Sequence, residues 1–197
     1  MWFRVSHLVA GALLTLGCIA GAQQSNVRVM AAPHARITEY RSFHLLPTPL
    51  PSNRVQRRGA YDAMAGHSRA NRALRQAVAR ELVGRGYVDT EWMPDFVVAI
   101  YASTDERLDL GAWLYGYTYA PPWWPLGMVD EASTLFPAGT VVVDVVEPES
   151  LDVLWRGAGA VALTADPLEN AREVLAVATA IIQRFPHAKP VAIANGR

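Results

Sequence analysis

Several stretches of this sequence carry residue types that could do chemistry, and their spacing decides which chemistry is open to them. Gly157-Ala158-Gly159-Ala160-Val161-Ala162 matches by letters the GxGxxA fingerprint of a dinucleotide-binding site. Such a site needs a helix that opens at the glycines, so that its N-terminus meets the pyrophosphate. The next helix start signal comes only at Asp166, so we interpret these small residues as part of a strand against which a helix packs closely. No nucleotide and no other cofactor is predicted.

The acidic residues and histidines do not have the spacing of a catalytic or metal centre. Asp105, Glu106 and Asp109 form an acidic cluster, but they lack the pattern of a calcium loop and are expected to be solvated. The five histidines are dispersed, and no HExxH, CxxC, P-loop or GxSxG pattern occurs. Asp144 and Arg156 are expected on opposite arms of a hairpin, where a structural ion pair is the default interpretation. We therefore predict no metal site and no enzymatic activity.

An unusually aromatic stretch, which we name the aromatic segment (residues 113–124), is the predicted binding surface. Its aromatic members, four of them at every second position and two between prolines, are Trp113, Tyr115, Tyr117, Tyr119, Trp123 and Trp124. Large aromatic side chains with a polar handle contribute much of the binding energy at interfaces, and interleaved prolines hold a loop extended. Aromatic rings also bury large areas in ordinary interiors. Closing one end of the core is therefore the open alternative for this segment.

The N-terminus reads as an export signal. Arg4 supplies a charged start, residues 8–16 an apolar run too short to span a bilayer, and Gly17-Cys18 a small residue followed by the only cysteine. Residues 14–18 resemble a bacterial lipobox, which predicts a palmitate-containing lipid anchor on Cys18 and attachment to a membrane. Cleavage after Ala22 by ordinary signal peptidase is the alternative, and it would give a soluble periplasmic or secreted protein.

Length and charge narrow the class of protein further. A chain of 197 residues suits one domain with its own core. Lys+Arg and Asp+Glu both number 18, so no surplus of positive charge favours nucleic acid, and no nucleic-acid partner is predicted. We divide the chain into a signal peptide (1–17), a tether (18–26), one domain (27–186) and a flexible tail (187–197).

The strand signals centre on a hairpin within Thr140–Leu163, broken at residues 147–150 by Pro148 and Ser150. It is the candidate for the middle of the sheet, with alternating valines pointing to one face and Asp144 to the other. The continuous apolar run Phe96–Tyr101 predicts a strand buried on both faces. Residues 27–30 and 37–46 are β-leaning, and the polar interruptions in the second predict an edge strand.

Two helices complete the predicted elements. The first lies within Ser68–Gly84, with Ser68 as a cap and arginines away from its apolar stripe. The second begins at Asp166-Pro167 and carries an apolar stripe from Leu168 to Phe185, until Pro186 ends it. The expected fold class is α+β: a single-domain α/β sandwich with a mixed, mostly antiparallel sheet, a C-terminal hairpin, and two main helices packed on one face.

Seven short motifs, spread over nearly the whole mature chain, resemble those of the bacterial lipoproteins of domain-of-unknown-function family 4136 (DUF4136). They are Ala77-Val78, Leu82, Arg85-Gly86-Tyr87, Pro94-Asp95-Phe96-Val97-Val98, Gly139-Thr140, Trp155-Arg156-Gly157 and Phe185-Pro186. The resemblance implies a small α/β domain tethered to the bacterial envelope, and no activity is established for that family.

The functional expectation is a non-enzymatic binding or structural lipoprotein on the periplasmic face of the cell envelope, with an envelope protein or glycan as partner. The residue after Cys18 is Ile19 and not the Asp associated with inner-membrane retention, so the outer membrane is the expected tether. A hydrolase acting on envelope glycan or peptide through a dispersed active site is the alternative.

Overall fold

The structure is a computed structural model that describes residues 27–47, 68–102, 104, 108–109, 123–124 and 135–190. Its elements, in chain order, are β1 (Arg28–Ala31), a 3-10 turn (Ile37–Glu39), β2 (Ser42–Leu45), α1 (Arg69–Gly84), β3 (Val88–Asp89), β4 (Phe96–Ala102), β5 (Leu108–Asp109), β6 (Leu135–Phe136), β7 (Thr140–Val146), β8 (Val153–Ala160) and α2 (Pro167–Ile182). Six strands form one sheet in the order β1-β8-β7-β4-β2-β3, and β5 pairs with β6 separately.

The large sheet is mixed, as predicted. Antiparallel pairing joins β1 to β8, β8 to β7 and β7 to β4, whereas β2 runs parallel to both β4 and β3. The predicted edge position of β2 is wrong, because β3 lies outside it and pairs with Ser42 and Phe43. The chain leaves β2, passes through α1 and returns beside β2, and a parallel crossover of this kind leaves no mark in the polarity pattern of β2 itself.

The hairpin of β7 and β8 lies inside the sheet and turns at residues 147–152, as the sequence predicted. Val145 pairs with Trp155 and Val146 pairs with Val153, so Leu154 is an extra residue on β8. Such a β-bulge changes the alternation of side chains along a strand. As a result, Leu154 and Trp155 both belong to the core on the helix side of the sheet.

Both helices cover the same face of the sheet, which confirms the predicted arrangement. Trp155 is 2% exposed, and its ring lies 5.1 Å from that of Phe185 in a perpendicular orientation, so it belongs to the core. The other large contributions to this core come from Leu74, Val78, Leu82, Val141, Val143, Val145, Val174, Ala178, Ile181 and Ile182. The helices do not cover the opposite face of the sheet, which has a smaller core of its own.

Capping residues set the helix ends as their types predict. The Ser68 hydroxyl accepts from the Asn71 amide at 2.9 Å, and the Asp166 carboxylate accepts from the Leu168 amide at 2.8 Å. Gly86, at φ 90°, takes the left-handed conformation after α1. The assignment of Leu168 to the apolar stripe is wrong: its side chain is 69% exposed. It lies in the first turn of α2, whose buried residues begin only with Asn170.

The chain beyond α2 stays attached to the domain as far as the structure describes it. The Ala188 amide donates to the Arg85 carbonyl at 3.0 Å, and the Lys189 amide donates to the Thr38 carbonyl at 2.8 Å. These bonds join the chain after α2 to the segments beside α1 and β2. Residues 191–197 lie outside the described residues, so the predicted flexible tail stays a prediction there.

Candidate functional site

A second, smaller core lies on the face of the sheet opposite the helices. Its buried members are Ala99, Tyr101, Trp124, Phe136, Val142, Val146, Val153 and Ala158. Asp144 lies between Val142 and Val146 on β7, so alternation directs its side chain to this same face. Charged and aromatic side chains therefore meet on this side of the sheet, which makes it the candidate site.

Asp144 and Arg156 form the ion pair that the sequence predicted across the hairpin. They are directly paired residues of β7 and β8 and are 0% and 1% exposed. Nε of Arg156 donates to one carboxylate oxygen at 2.6 Å, and Nη2 donates to the other at 2.6 Å. This two-pronged geometry gives strong, orientation-specific hydrogen bonds. Because an arginine does not release its proton in proteins, the pair is suited to holding structure and not to proton transfer.

Of the aromatic segment, Trp124 lies over Arg156 of this ion pair, and Trp123 packs against Trp124. The guanidinium carbon of Arg156 is 5.7 Å from the ring centre of Trp124, within the range of a cation–π interaction. Trp124 is 5% exposed, so for this one residue the alternative that the segment closes the core holds. Trp123 is half-buried. The two rings are nearly perpendicular, with centres 6.3 Å apart. The indole Nε1 of Trp124 is buried without a hydrogen-bond partner in the structure as described.

The remaining predicted site residues fall outside the described residues. These are Trp113, Tyr115, Tyr117 and Tyr119 of the aromatic segment, and Cys18 with its predicted lipid. Asp105 and Glu106 of the acidic cluster also fall there. Binding by the aromatic segment and lipidation of Cys18 therefore stay predictions.

The glycines of the GxGxxA letters lie in strand β8, and our interpretation of them as a close-packing surface is confirmed. A Cβ atom on Gly157 would lie 2.2 Å from Cγ2 of Ile181, and one on Gly159 would lie 2.7 Å from Cγ1 of Val177. Both contacts are with α2, which crosses this strand. The glycines thus let α2 approach the sheet, and no helix begins at them.

One exposed feature was not found from the sequence. Trp92 and Met93, in the connection between β3 and β4, are 82% and 80% exposed. We name this pair the tryptophan corner. A tryptophan in a short connection between an acidic residue and a proline, with no apolar periodicity around it, is the signal that would have indicated it.

Two residues near β2, Tyr87 and Asp95, have a pKa that is shifted from its ordinary value. Burial raises the pKa of the Tyr87 hydroxyl to about 12, and this hydroxyl lies 3.2 Å from the carbonyl oxygens of Ile37 and Pro186. Partial burial raises the pKa of Asp95, but hydrogen bonds from the amides of Arg41 and Ser42 outweigh it, so the pKa lies below its ordinary value. Both groups tie neighbouring segments together and lie away from the second core.

Metal-binding clusters and membrane spans were sought in the same part of the chain. Within the described ranges, no three His, Cys, Asp or Glu side chains are close enough together to hold a metal ion. Across those same ranges, neither helix has the length and apolar character needed to span a membrane.

Comparisons with known proteins agree with this fold. A solved DUF4136 family protein from Bacteroides thetaiotaomicron is 14% identical, with a TM-score of 0.52, over 81% of this chain and 94% of that one. Weaker likenesses, which carry no weight here, are the PelC dodecamer from Paraburkholderia phytofirmans (11% identity, TM-score 0.41, 84% and 99% covered) and a PDZ domain protein from Parabacteroides distasonis (10%, 0.48, 84% and 36%). No relative among curated proteins matches.

The match to the family model covers nearly all of the domain described above. It extends over residues 27–187 and corresponds to a domain of unknown function, DUF4136. Its limits nearly coincide with the predicted domain, and the solved relative has the same fold. This chain belongs to the DUF4136 family.

Proposed function

We propose that this DUF4136 protein is an envelope lipoprotein, held at the membrane by lipid on Cys18, that binds another envelope component through its aromatic segment and has no enzymatic activity. The observation that carries the proposal is the position of Trp124 over Arg156 of the buried pair, with the half-buried Trp123 packed edge-on against it. The lipobox-like residues 14–18 support the envelope location.

The ion pair supports Trp124 of the aromatic segment in a fixed position. Both partners are almost completely buried and joined by two short hydrogen bonds, so the guanidinium under Trp124 has a fixed position. A fixed ring loses little conformational entropy when a partner binds, which favours its use at an interface. Asp144 and Arg156 are engaged with each other, and this supports binding in preference to hydrolysis.

The two tryptophans offer different contacts to a partner. Trp123 keeps part of its ring accessible and packs edge-on against its neighbour. Trp124 carries a buried Nε1 group without an acceptor in the described structure, and a buried unsatisfied donor costs about 1–3 kcal/mol. A partner that lays an apolar surface on Trp123 would cover the part of its ring that stays accessible. Proteins and glycans both offer such surfaces.

Crosslinking in intact cells tests the binding proposal. We expect a photoreactive residue at position 123 to capture one discrete envelope partner. The same residue at Leu168, which is 69% exposed on α2, is the matched control and is expected to capture none. Replacing Trp124 with Ser is expected to remove the capture at position 123. Crosslinks that persist unaltered, or turnover of envelope glycan or peptide by the purified protein, would contradict the proposal.

Mass spectrometry of the mature N-terminus tests the tether. We expect a lipid-modified chain that begins at Cys18 and remains in the membrane fraction. Cys18→Ala is expected to release the protein from that fraction without changing its melting temperature, because the domain begins only at residue 27. An unmodified chain beginning at Gln23 would contradict the lipoprotein assignment.

A further inference from the structure

The tryptophan corner is an apolar surface that the described fold leaves uncovered. Trp92 and Met93 are adjacent in the chain, and both are at least 80% exposed. Large apolar side chains are exposed singly on most proteins, whereas an adjacent exposed Trp and Met are typical of interfaces. The corner lies on the connection that follows the edge strand β3.

The connection that carries the corner has a fixed conformation. The Trp92 amide donates to the Thr90 hydroxyl at 3.1 Å, which closes a short turn. Met93 has a φ of 47°, a conformation that costs free energy for any residue but glycine. Asp95 then anchors the chain, because its carboxylate accepts from the amides of Arg41 and Ser42 at 2.7 and 2.9 Å. Trp92 is thus held outward on a firm base.

The chain segment that carries the corner is acidic, although Arg41 lies close enough to Asp95 to lower its pKa and Nδ1 of His44 lies 3.8 Å from Asp89. Asp89, Glu91 and Asp95 lie within four residues of Trp92, all three are exposed, and residues 88–95 contain no basic side chain. A partner of the corner therefore needs positive charge beside an apolar contact.

The outer face of α1 has the complementary composition. Arg69, Arg72 and Arg80 are exposed along it, and Val83 follows at 54% exposure. A spacing of three residues separates Arg69 from Arg72 and Arg80 from Val83, which places each pair on neighbouring positions of the helix surface. We name this surface the arginine stripe. Guanidinium groups stack on tryptophan rings and pair with carboxylates, which are the two groups that the corner presents.

From this complementarity we propose that the tryptophan corner of one copy binds the arginine stripe of α1 on a second copy of this chain. A contact between two corners is disfavoured, because it would bring three carboxylates of each copy together. The contact therefore joins two different surfaces, so each bound copy still offers one free corner and one free stripe. Copies added in this way form a closed ring or an open row. The proposal does not depend on the partner of the aromatic segment.

Sedimentation of the full-length protein in density-matched detergent tests the proposal. We expect its mass to rise with protein concentration and to fall as salt is raised from 50 to 500 mM. Trp92→Ser with Met93→Ser (the corner variant) and Arg72→Glu with Arg80→Glu (the stripe variant) are each expected to weaken association at least tenfold. Both sets of side chains are exposed, so both variants are expected to melt at the parent temperature.

Mixing the two variants separates this contact from any symmetric one. The corner variant keeps an intact stripe and the stripe variant keeps an intact corner, so an equimolar mixture is expected to form a dimer that neither variant forms alone. Leu168→Ser, on another exposed part of the surface, is the matched control and is expected to associate like the parent. A parent chain that stays monomeric up to 100 µM, variants that associate like the parent, or a mixture that stays monomeric would each overturn the proposal.

Discussion

Removing one partner of the buried ion pair is the most direct test of the second core. In Asp144→Ala, the guanidinium of Arg156 loses both short hydrogen bonds while remaining 1% exposed beneath Trp124. Leaving a buried charge uncompensated costs about 3–5 kcal/mol. Since a domain of this kind is stabilised by about 5–15 kcal/mol, the substitution is expected to remove a large part of the total.

Removing both charges together is the control for Asp144→Ala. Asp144→Leu with Arg156→Met keeps the volume of the pair but leaves no charge to desolvate, so it is expected to lie within about 2 kcal/mol of the parent, or to exceed it. Arg156→Met alone is expected to be as damaging as Asp144→Ala, because it removes both short hydrogen bonds to the buried carboxylate.

Equilibrium urea denaturation at pH 7, with the slope compared among variants, measures these differences. A loss below about 1 kcal/mol for Asp144→Ala would mean that water reaches Arg156, and the place of Trp124 over it would then be wrong. A double variant as unstable as either single variant would contradict the explanation that the loss comes from an uncompensated buried charge. The pair itself, and not the penalty for breaking it, would then stabilise the hairpin.

Three further predictions concern the helix-side core and the start of β4. Trp155→Ala is expected to cost about 3–5 kcal/mol in urea denaturation, because the ring fills a buried site against Phe185, and a parent-like midpoint would contradict this. Gly157→Ala is expected to cost about 1–3 kcal/mol by overpacking against Cγ2 of Ile181, and Ile181→Ala, which removes that methyl group, is expected to cost less in the Gly157→Ala background than in the parent in the same assay. Asp95→Asn is expected to cost about 1 kcal/mol or less at pH 7, since solvent screens this exposed carboxylate. Its pKa is lowered on folding, so its contribution is present above the unfolded-state pKa and lost as pH falls through the folded value. The difference from the parent is therefore expected to begin to shrink at about pH 4 and to disappear only below the lowered pKa of the folded state, and a difference that grows in acid would refute the argument.

The local elements of this domain could be predicted because their signals lie within a few residues of each other. Asp166-Pro167 placed the start of α2, and Ser68 placed the start of α1. The alternating valines of β7 and the break after Val146 predicted the hairpin and the two faces of its first strand. Caps, prolines and side-chain alternation act through neighbouring backbone groups, so the sequence alone predicts the elements that they define.

The position of β2 and the sides on which single residues lie could not be predicted in this way. β2 reads as an edge strand, but the return of the chain through α1 places β3 outside it. Leu154 faces the helices only because the register of β8 shifts against β7. Leu168 fits an apolar stripe by its spacing, yet the direction in which α2 meets the sheet leaves it exposed.

The candidate surfaces also combine features that the sequence contains with features that only the tertiary structure decides. The residue types of the aromatic segment, the possibility of an Asp144–Arg156 pair and the family resemblance are all present in the sequence. The tertiary structure alone decided that Trp124 is buried over Arg156 while Trp123 stays half-exposed. It also decided that the side chain of Trp92 is held outward. The physical reason is that burial depends on which distant segments meet. Pairing between strands far apart in the chain sets those meetings, and no local pattern records it.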